Sequence, residues 1–131
     1  MRIVLDTNVL VSGLLSPHGP PGRIVDLVLT GSLTLVVDDR VLAEYRQVLT
    51  RRRFPFDPRD VAALLTRIEA GADHVRSEPC GRALPDSDDL PFLEVALSGA
   101  VDALVTGNAR HYRGVGEVDV VSPADWLRRL G

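Results

Sequence analysis

Lysine is absent. All 15 basic residues are arginine, against 18 acids, for a formal charge of −3. Without lysine there is no Walker-A nucleotide loop, no Schiff-base chemistry and no phosphotransfer site that needs a lysine beside its aspartate. Such an acidic balance is not the footprint of a protein that binds nucleic acid by bulk charge. Cysteine is nearly absent too. Cys80 stands alone, which excludes an intrachain disulfide and any cysteine-rich zinc site. His18, His74 and His111 are scattered, with no pair at metal-ligand spacing. No apolar run approaches the ~18 residues a membrane helix needs, and Asp6 interrupts the N-terminal run before a signal-peptide core forms. Gly-x-Ser-x-Gly is missing, and the one Gly-x-Gly, Gly114-Val115-Gly116, leads toward a strand and so is no dinucleotide loop. The expectation is a cytoplasmic protein with no membrane association, folding as one domain over residues 1–131.

What remains is an ordinary globular composition, 45% apolar and 25% charged, without repeats or low-complexity segments. Strand-like runs alternate with helical patterns from end to end. Strands are expected at Arg2–Leu5, Leu33–Val37, His74–Arg76, Ala103–Val105 and Val118–Val121. Helices are expected at Asn8–Leu15, Arg23–Leu29, Asp39–Arg51, Arg59–Ala70, Asp88–Ser98 and from Ser122-Pro123 to Leu130. This alternation predicts a three-layer α/β/α sandwich around a mostly parallel sheet of four to five strands. Ligands bind such sheets outside the carboxyl ends of the strands. Asp6 and the turn Thr106-Gly107-Asn108 sit at two such ends, and Ser16–Gly22, rich in proline and glycine, is a candidate rim loop beside Asp6.

Three acids fall among apolar neighbours. In the helix beginning at Asp88, the inward stripe is Phe92, Leu93, Ala96, Leu97 and Ala100, and helical phase puts Asp89 in its middle while Glu94 points away. In the helix from Asp39, Glu44 lies at the edge of the stripe formed by Val41, Leu42, Tyr45, Val48 and Leu49, with Arg40 on the polar side. Asp6 follows Ile3–Leu5 and precedes Val9–Val11. Each has an ordinary explanation. Asp6 could cap the next helix, Asp89 suits a helix first turn, and Glu44 could pair with Arg40 or Arg51. Taken together, three inward carboxylates near one sheet edge would repel each other without a cation, and oxygen-only ligands select Mg²⁺ or Mn²⁺. Such a pocket suits phosphodiester hydrolysis, in which the ion lowers the pKa of the attacking water.

The motifs Val4-Leu5-Asp6-Thr7-Asn8-Val9, Leu42-Ala43-Glu44-Tyr45, Asp86-Ser87-Asp88-Asp89 before Phe92-Leu93-Glu94-Val95-Ala96, and Thr106-Gly107-Asn108, closing with Val121-Ser122-Pro123, resemble in order and spacing the PIN domain. The likeness spans nearly the whole chain and is greatest to the VapC-like toxin components of bacterial and archaeal toxin–antitoxin pairs. It implies a Mg²⁺- or Mn²⁺-dependent endoribonuclease with an RNA substrate, a cognate antitoxin and a homodimeric state. By position it makes Asp6, Glu44 and Asp89 the catalytic, metal-holding acids, with Asp86 the second choice for the third ligand. Thr106 and Asn108 become the supporting turn, and Asn8 a residue that orients Asp6 or binds substrate.

The family often carries a further acid in or after this turn, where this chain has Asn108 and then His111. One fewer carboxylate points to a single firm metal, with a second only when substrate is present. His111 is expected either to contact phosphate or move protons, or simply to pack on Tyr112. The run Arg51-Arg52-Arg53 completes a helix dipole or touches RNA backbone. Two other classes stay open. One is a catalytically silent PIN-fold module that binds protein or RNA. The other is a haloacid-dehalogenase-like phosphatase with Asp6 as nucleophile, which lacks the acid two residues on and any lysine.

Overall fold

The computed structural model describes residues 1–131. Its chain order is β1 (Arg2–Leu5), α1 (Thr7–Leu15), α2 (Pro20–Leu29), β2 (Thr34–Val37), α3 (Asp39–Leu49), α4 (Pro58–Gly71) and β3 (Asp73–His74). There follow a 3-10 turn (Ser87–Asp89), α5 (Leu90–Ser98), β4 (Ala103–Val105), a second 3-10 turn (Ala109–Tyr112), β5 (Val120–Val121) and α6 (Pro123–Leu130). The five strands form one sheet in the order β3-β2-β1-β4-β5, and every neighbouring pair is parallel. Helices cover the sheet in a three-layer α/β/α arrangement. No helix is long and apolar enough to cross a membrane.

The strands are short because little of each is needed. Ile3, Val4 and Leu5, like Ala103, Leu104 and Val105, are buried at every position. That continuous burial explains why they read as unbroken apolar runs and do not alternate. β1 is the centre of the sheet, with Ile3 opposite both Leu35 and Ala103. The chain runs outward from β1 to β2 and β3 on one side, then crosses to β4 and β5 on the other. The strand order therefore reverses between β1 and β4, the place where open α/β sheets leave a crevice. Asp6 and Thr106 end the two strands that flank it.

Two element boundaries are revised. Of the expected rim loop Ser16–Gly22, only Ser16–Gly19 lie outside helix, with Ser16, Pro17 and His18 exposed. Pro20 and Pro21 occupy the first turn of α2, where a missing N–H costs nothing, and Gly22 lies against the preceding turn so closely that a Cβ would sit 2.2 Å from the Pro17 carbonyl oxygen. The third strand is Asp73–His74 and not His74–Arg76, because its pairing partners are Val36 and Val37, which fix the register.

Candidate active site

The β1 strand delivers Asp6 to the crevice and α1 begins with the next residue. Asp6 holds the N-cap position, yet its carboxylate makes no capping hydrogen bond. It turns instead toward the far side of the crevice. Thr106 Oγ1 donates to Asp6 Oδ2 at 2.8 Å, and Tyr112 Oη donates to the same oxygen at 3.1 Å. Asp6 is 5% exposed, and both of these donors are neutral. Burial raises its pKa, against the hydrogen bonds from Thr106 and Tyr112 that favour the carboxylate. The backbone N–H groups of Thr7 and Asn8 at the start of α1 also favour the carboxylate, and burial outweighs all of these neutral donors.

The turn after β4 is locked in place. Thr106 Oγ1 accepts from Asn108 N at 3.0 Å while donating to Asp6. Asn8 Oδ1 accepts from Gly107 N at 3.0 Å. Asn8 therefore fixes the turn opposite Asp6 with its side-chain carbonyl, rather than bonding Asp6 through its amide. Asn108 is exposed, its backbone serving the turn.

Asp89 enters from the opposite element. The structure places it in the 3-10 turn ahead of α5 rather than on the helix itself, because Pro91 starts the helix at Leu90. It is nonetheless buried at 9% exposure. His111 Nδ1 lies 3.0 Å from Asp89 Oδ2, so the imidazole neither packs idly on Tyr112 nor stands clear in solvent. Burial first, then repulsion from Asp6, raises the Asp89 pKa to about 6, with His111 pulling the other way. The neighbouring residues Tyr112 and His111 bond Asp6 and Asp89 respectively, which brings the two acids to the same crevice. Glu44, half-buried on α3, belongs to the same field. Burial raises its pKa, Arg51 opposes, and Asp88, Asp6 and Asp86 add repulsion. Glu44 forms no salt bridge, and Arg40, one of its expected partners, is committed elsewhere.

Asp86 is exposed and caps the 3-10 turn, accepting from Asp88 N at 2.9 Å. No three His, Cys, Asp or Glu side chains close around one point at ligand distance. The three core acids thus share a field without forming a ready-made cage.

Sequence reasoning missed a second carboxylate pair beside the site. Asp38 caps α3 by accepting from Val41 N, and Arg40 bonds Asp38 Oδ2 and Glu94 Oε1 at 2.9 and 2.8 Å. Glu94 does not project into solvent as its helical phase suggested. It is 8% exposed and also accepts from Cys80 N at 3.0 Å. The loop between β3 and α5 folds over that face of α5, and these partners hold the Glu94 pKa low against the effect of burial. The signal lay in the sequence around it, since Phe92, Leu93, Val95 and Ala96 leave α5 no polar side. Tyr112, the second donor to Asp6, carried no motif signal.

The sequence profile of the PIN domain matches residues 2–110. The chain belongs to the PIN domain family. This PIN domain is 24% identical over 111 residues to the uncharacterized protein MJ1680 of Methanocaldococcus jannaschii, covering 82% of this chain and 71% of that one. Its fold matches that of a chain in the crystal structure of VapBC2 from Rickettsia felis bound to a DNA fragment from their promoter. The TM-score is 0.65 at 16% identity, over 93% of this chain and 98% of that one. It likewise matches a chain of VapBC-1 from nontypeable Haemophilus influenzae, with a TM-score of 0.65 at 15% identity, over 95% and 99% of the two chains. The acids Asp6, Glu44 and Asp89 and the Thr106-Gly107-Asn108 turn all lie inside the matched segment.

Proposed function

We propose that this PIN domain is a Mg²⁺- or Mn²⁺-dependent endoribonuclease, the toxin half of a toxin–antitoxin pair, whose metal-holding acids are Asp6, Glu44 and Asp89. The observation that carries the reading is electrostatic. Asp6 and Asp89 are buried in each other's field with no arginine in contact, while a carboxylate pair nearby is neutralised by Arg40. The donor set suits a hard divalent cation. It consists of carboxylate oxygens, with a further buried oxygen, Thr7 Oγ1, left without a hydrogen-bond partner beside Asp6. Bound there, the ion would lower the pKa of the attacking water and offset charge on the leaving oxygen.

The chain's own residues supply position. Thr106 and Tyr112 orient one oxygen of Asp6 and leave the other without a side-chain partner. His111 orients Asp89 in the same way. Asn8 holds the turn that places Thr106. An antitoxin partner is favoured by the likeness of fold to chains of two VapBC assemblies.

The test is to map new RNA ends after incubating total cellular RNA with the protein and Mn²⁺, with chelator, and with the Asp89→Asn variant. Discrete ends that require both metal and Asp89 establish the activity and reveal its sequence preference. If no such ends form, a silent binding module becomes the better account, a reading favoured by the missing fourth acid at Asn108 and by the open arrangement of the three acids.

A further inference from the structure

The 3-10 turn Ala109–Tyr112 does more than complete the acid site. In a 3-10 helix side chains three apart eclipse one another, so Ala109 and Tyr112 share one side, while Arg110 and Arg113, the residue that ends the turn, line a common cleft. Tyr112 is buried and reaches Asp6, His111 reaches Asp89, and Arg110 and Arg113 are exposed. Both arginines line an open cleft of about 480 Å³ together with Asn108, His111 and Pro85. Apart from Pro85, every residue of the lining carries a polar or charged head. Neither guanidinium belongs to an ion pair. The cleft is also framed. Arg82, on the loop that carries Pro85, donates to the Gly114 carbonyl oxygen at 3.0 Å and pairs with Glu117, tying the two walls together. Arg82 is thereby neutralised, while Arg110 and Arg113 are left facing the cleft without a carboxylate. Since His111 lines the cleft and bonds Asp89, whatever anion sits there lies next to the acid site.

We infer that this cleft is a phosphate subsite for single-stranded RNA. It holds a backbone phosphodiester flanking the one presented to the acids, by charge-assisted hydrogen bonds from Arg110 and Arg113. The inference rests on the nuclease reading for its choice of ligand, but binding and cleavage can be measured apart. The occupant is a nucleic-acid backbone because two guanidiniums outside any ion pair and a side-chain amide are set along one open cleft, donors that match successive phosphates.

Binding of a fluorescein-labelled single-stranded RNA oligonucleotide would be measured in chelator across a range of salt. The variants are Arg110→Ala/Arg113→Ala, Arg110→Lys/Arg113→Lys and Arg128→Ala/Arg129→Ala. The last removes the same charge from α6, where those arginines already pair with Asp125 and Asp119. The alanine pair should lower affinity roughly tenfold per arginine and flatten the log–log salt slope by about 0.7 per lost phosphate contact. The lysine pair should keep the slope and the α6 pair should change neither. Under Mn²⁺ the cleft variant should raise KM far more than it lowers kcat. An unchanged slope in the alanine pair, an equal loss in the α6 pair, or no binding by the unaltered protein up to about 100 µM would overturn the inference. Cleavage that proceeds with Arg110 and Arg113 dispensable sinks the subsite and leaves the nuclease standing. Binding that depends on them without any cleavage does the reverse.

Discussion

Two neighbouring strands end in buried carboxylates and treat them in opposite ways. At the end of β2, Asp38 and, across from it, Glu94 are bridged by Arg40, and the Glu94 pKa is held low. At the end of β1, Asp6 has two hydroxyl donors, Asp89 has an imidazole, and both pKa values are raised. The residue types and the burial are alike. The difference is a fixed guanidinium, present at one site and replaced at the other by hydroxyls and an imidazole. A carboxylate already neutralised by arginine has its charge compensated inside the fold and serves structure. One held by hydroxyls keeps its charge in want of a counter-ion, and so can take one from solution.

The largest effect should come from removing charge at the β1 end. Asp6→Asn or Asp89→Asn is expected to lower metal-dependent RNA cleavage by about 10³-fold or more, because the ion's charge stabilisation is worth several kcal/mol. Glu94→Gln, an equally buried acid a few residues away, should leave the cleavage rate of folded protein nearly intact. If Glu94→Gln abolished cleavage while Asp89→Asn did not, the two clusters would have to exchange roles.

Folding stability should respond in the reverse pattern. Arg40→Met strands Asp38 and Glu94 together and should cost about 2 kcal/mol in urea unfolding. That is below the full penalty of breaking a buried pair because the arginine side chain is 48% exposed. The double variant Arg40→Met/Glu94→Leu should recover part of the loss, since removing both partners leaves less charge stranded. A loss in Arg40→Met no greater than in a surface arginine such as Arg59→Met would show that the pair is merely a surface contact.

The same contrast shows what the sequence could reveal. Strand runs, helix phases and the order of elements were legible because parallel strands buried on both faces and helices with one apolar stripe leave strong local patterns, and element ends differ by a few residues. Asp6, Glu44 and Asp89 stood out because each interrupts such a pattern. Glu94 misled because periodicity describes one helix and is blind to a loop that covers its outer face from 14 residues away. Partners were hidden for the same reason. His111 bonds Asp89 across 22 residues, and Tyr112 bonds Asp6 across 106. Nor could phase place Asp89 correctly on α5, since Pro91 sets the start of the helix and leaves the acid in the preceding turn.

The smallest and sharpest effect is on pH dependence, where the two strand ends should carry opposite signs. Asp89 titrates at about 6 in the fold against an ordinary 3.8. Between those values the folded chain keeps a proton that the unfolded chain has released. The native state then binds more protons than the unfolded state, so stability falls as pH rises through that window and is lowest above it. Metal-free protein should therefore melt a few degrees higher at pH 5 than at pH 7. Asp89→Asn should raise the pH 7 stability by about 1 kcal/mol, discounted for solvent screening, and reduce that slope to the part carried by Asp6 and Glu44, whose pKa values are also raised. Glu94, with its lowered pKa, contributes the contrary term, stability present above its unfolded pKa of 4.5 and lost as pH falls toward the folded value, so its influence is confined below pH 4.5 and leaves the span from pH 5 to 7 to Asp89. Added Mn²⁺ should invert the trend between pH 5 and pH 7, because the ion binds the carboxylate and its stabilisation grows as the proton leaves. If melting temperature were flat from pH 5 to 7 in wild type and Asp89→Asn alike, with or without Mn²⁺, Asp89 would be as well compensated as Glu94. The distinction between the two strand ends would then fail.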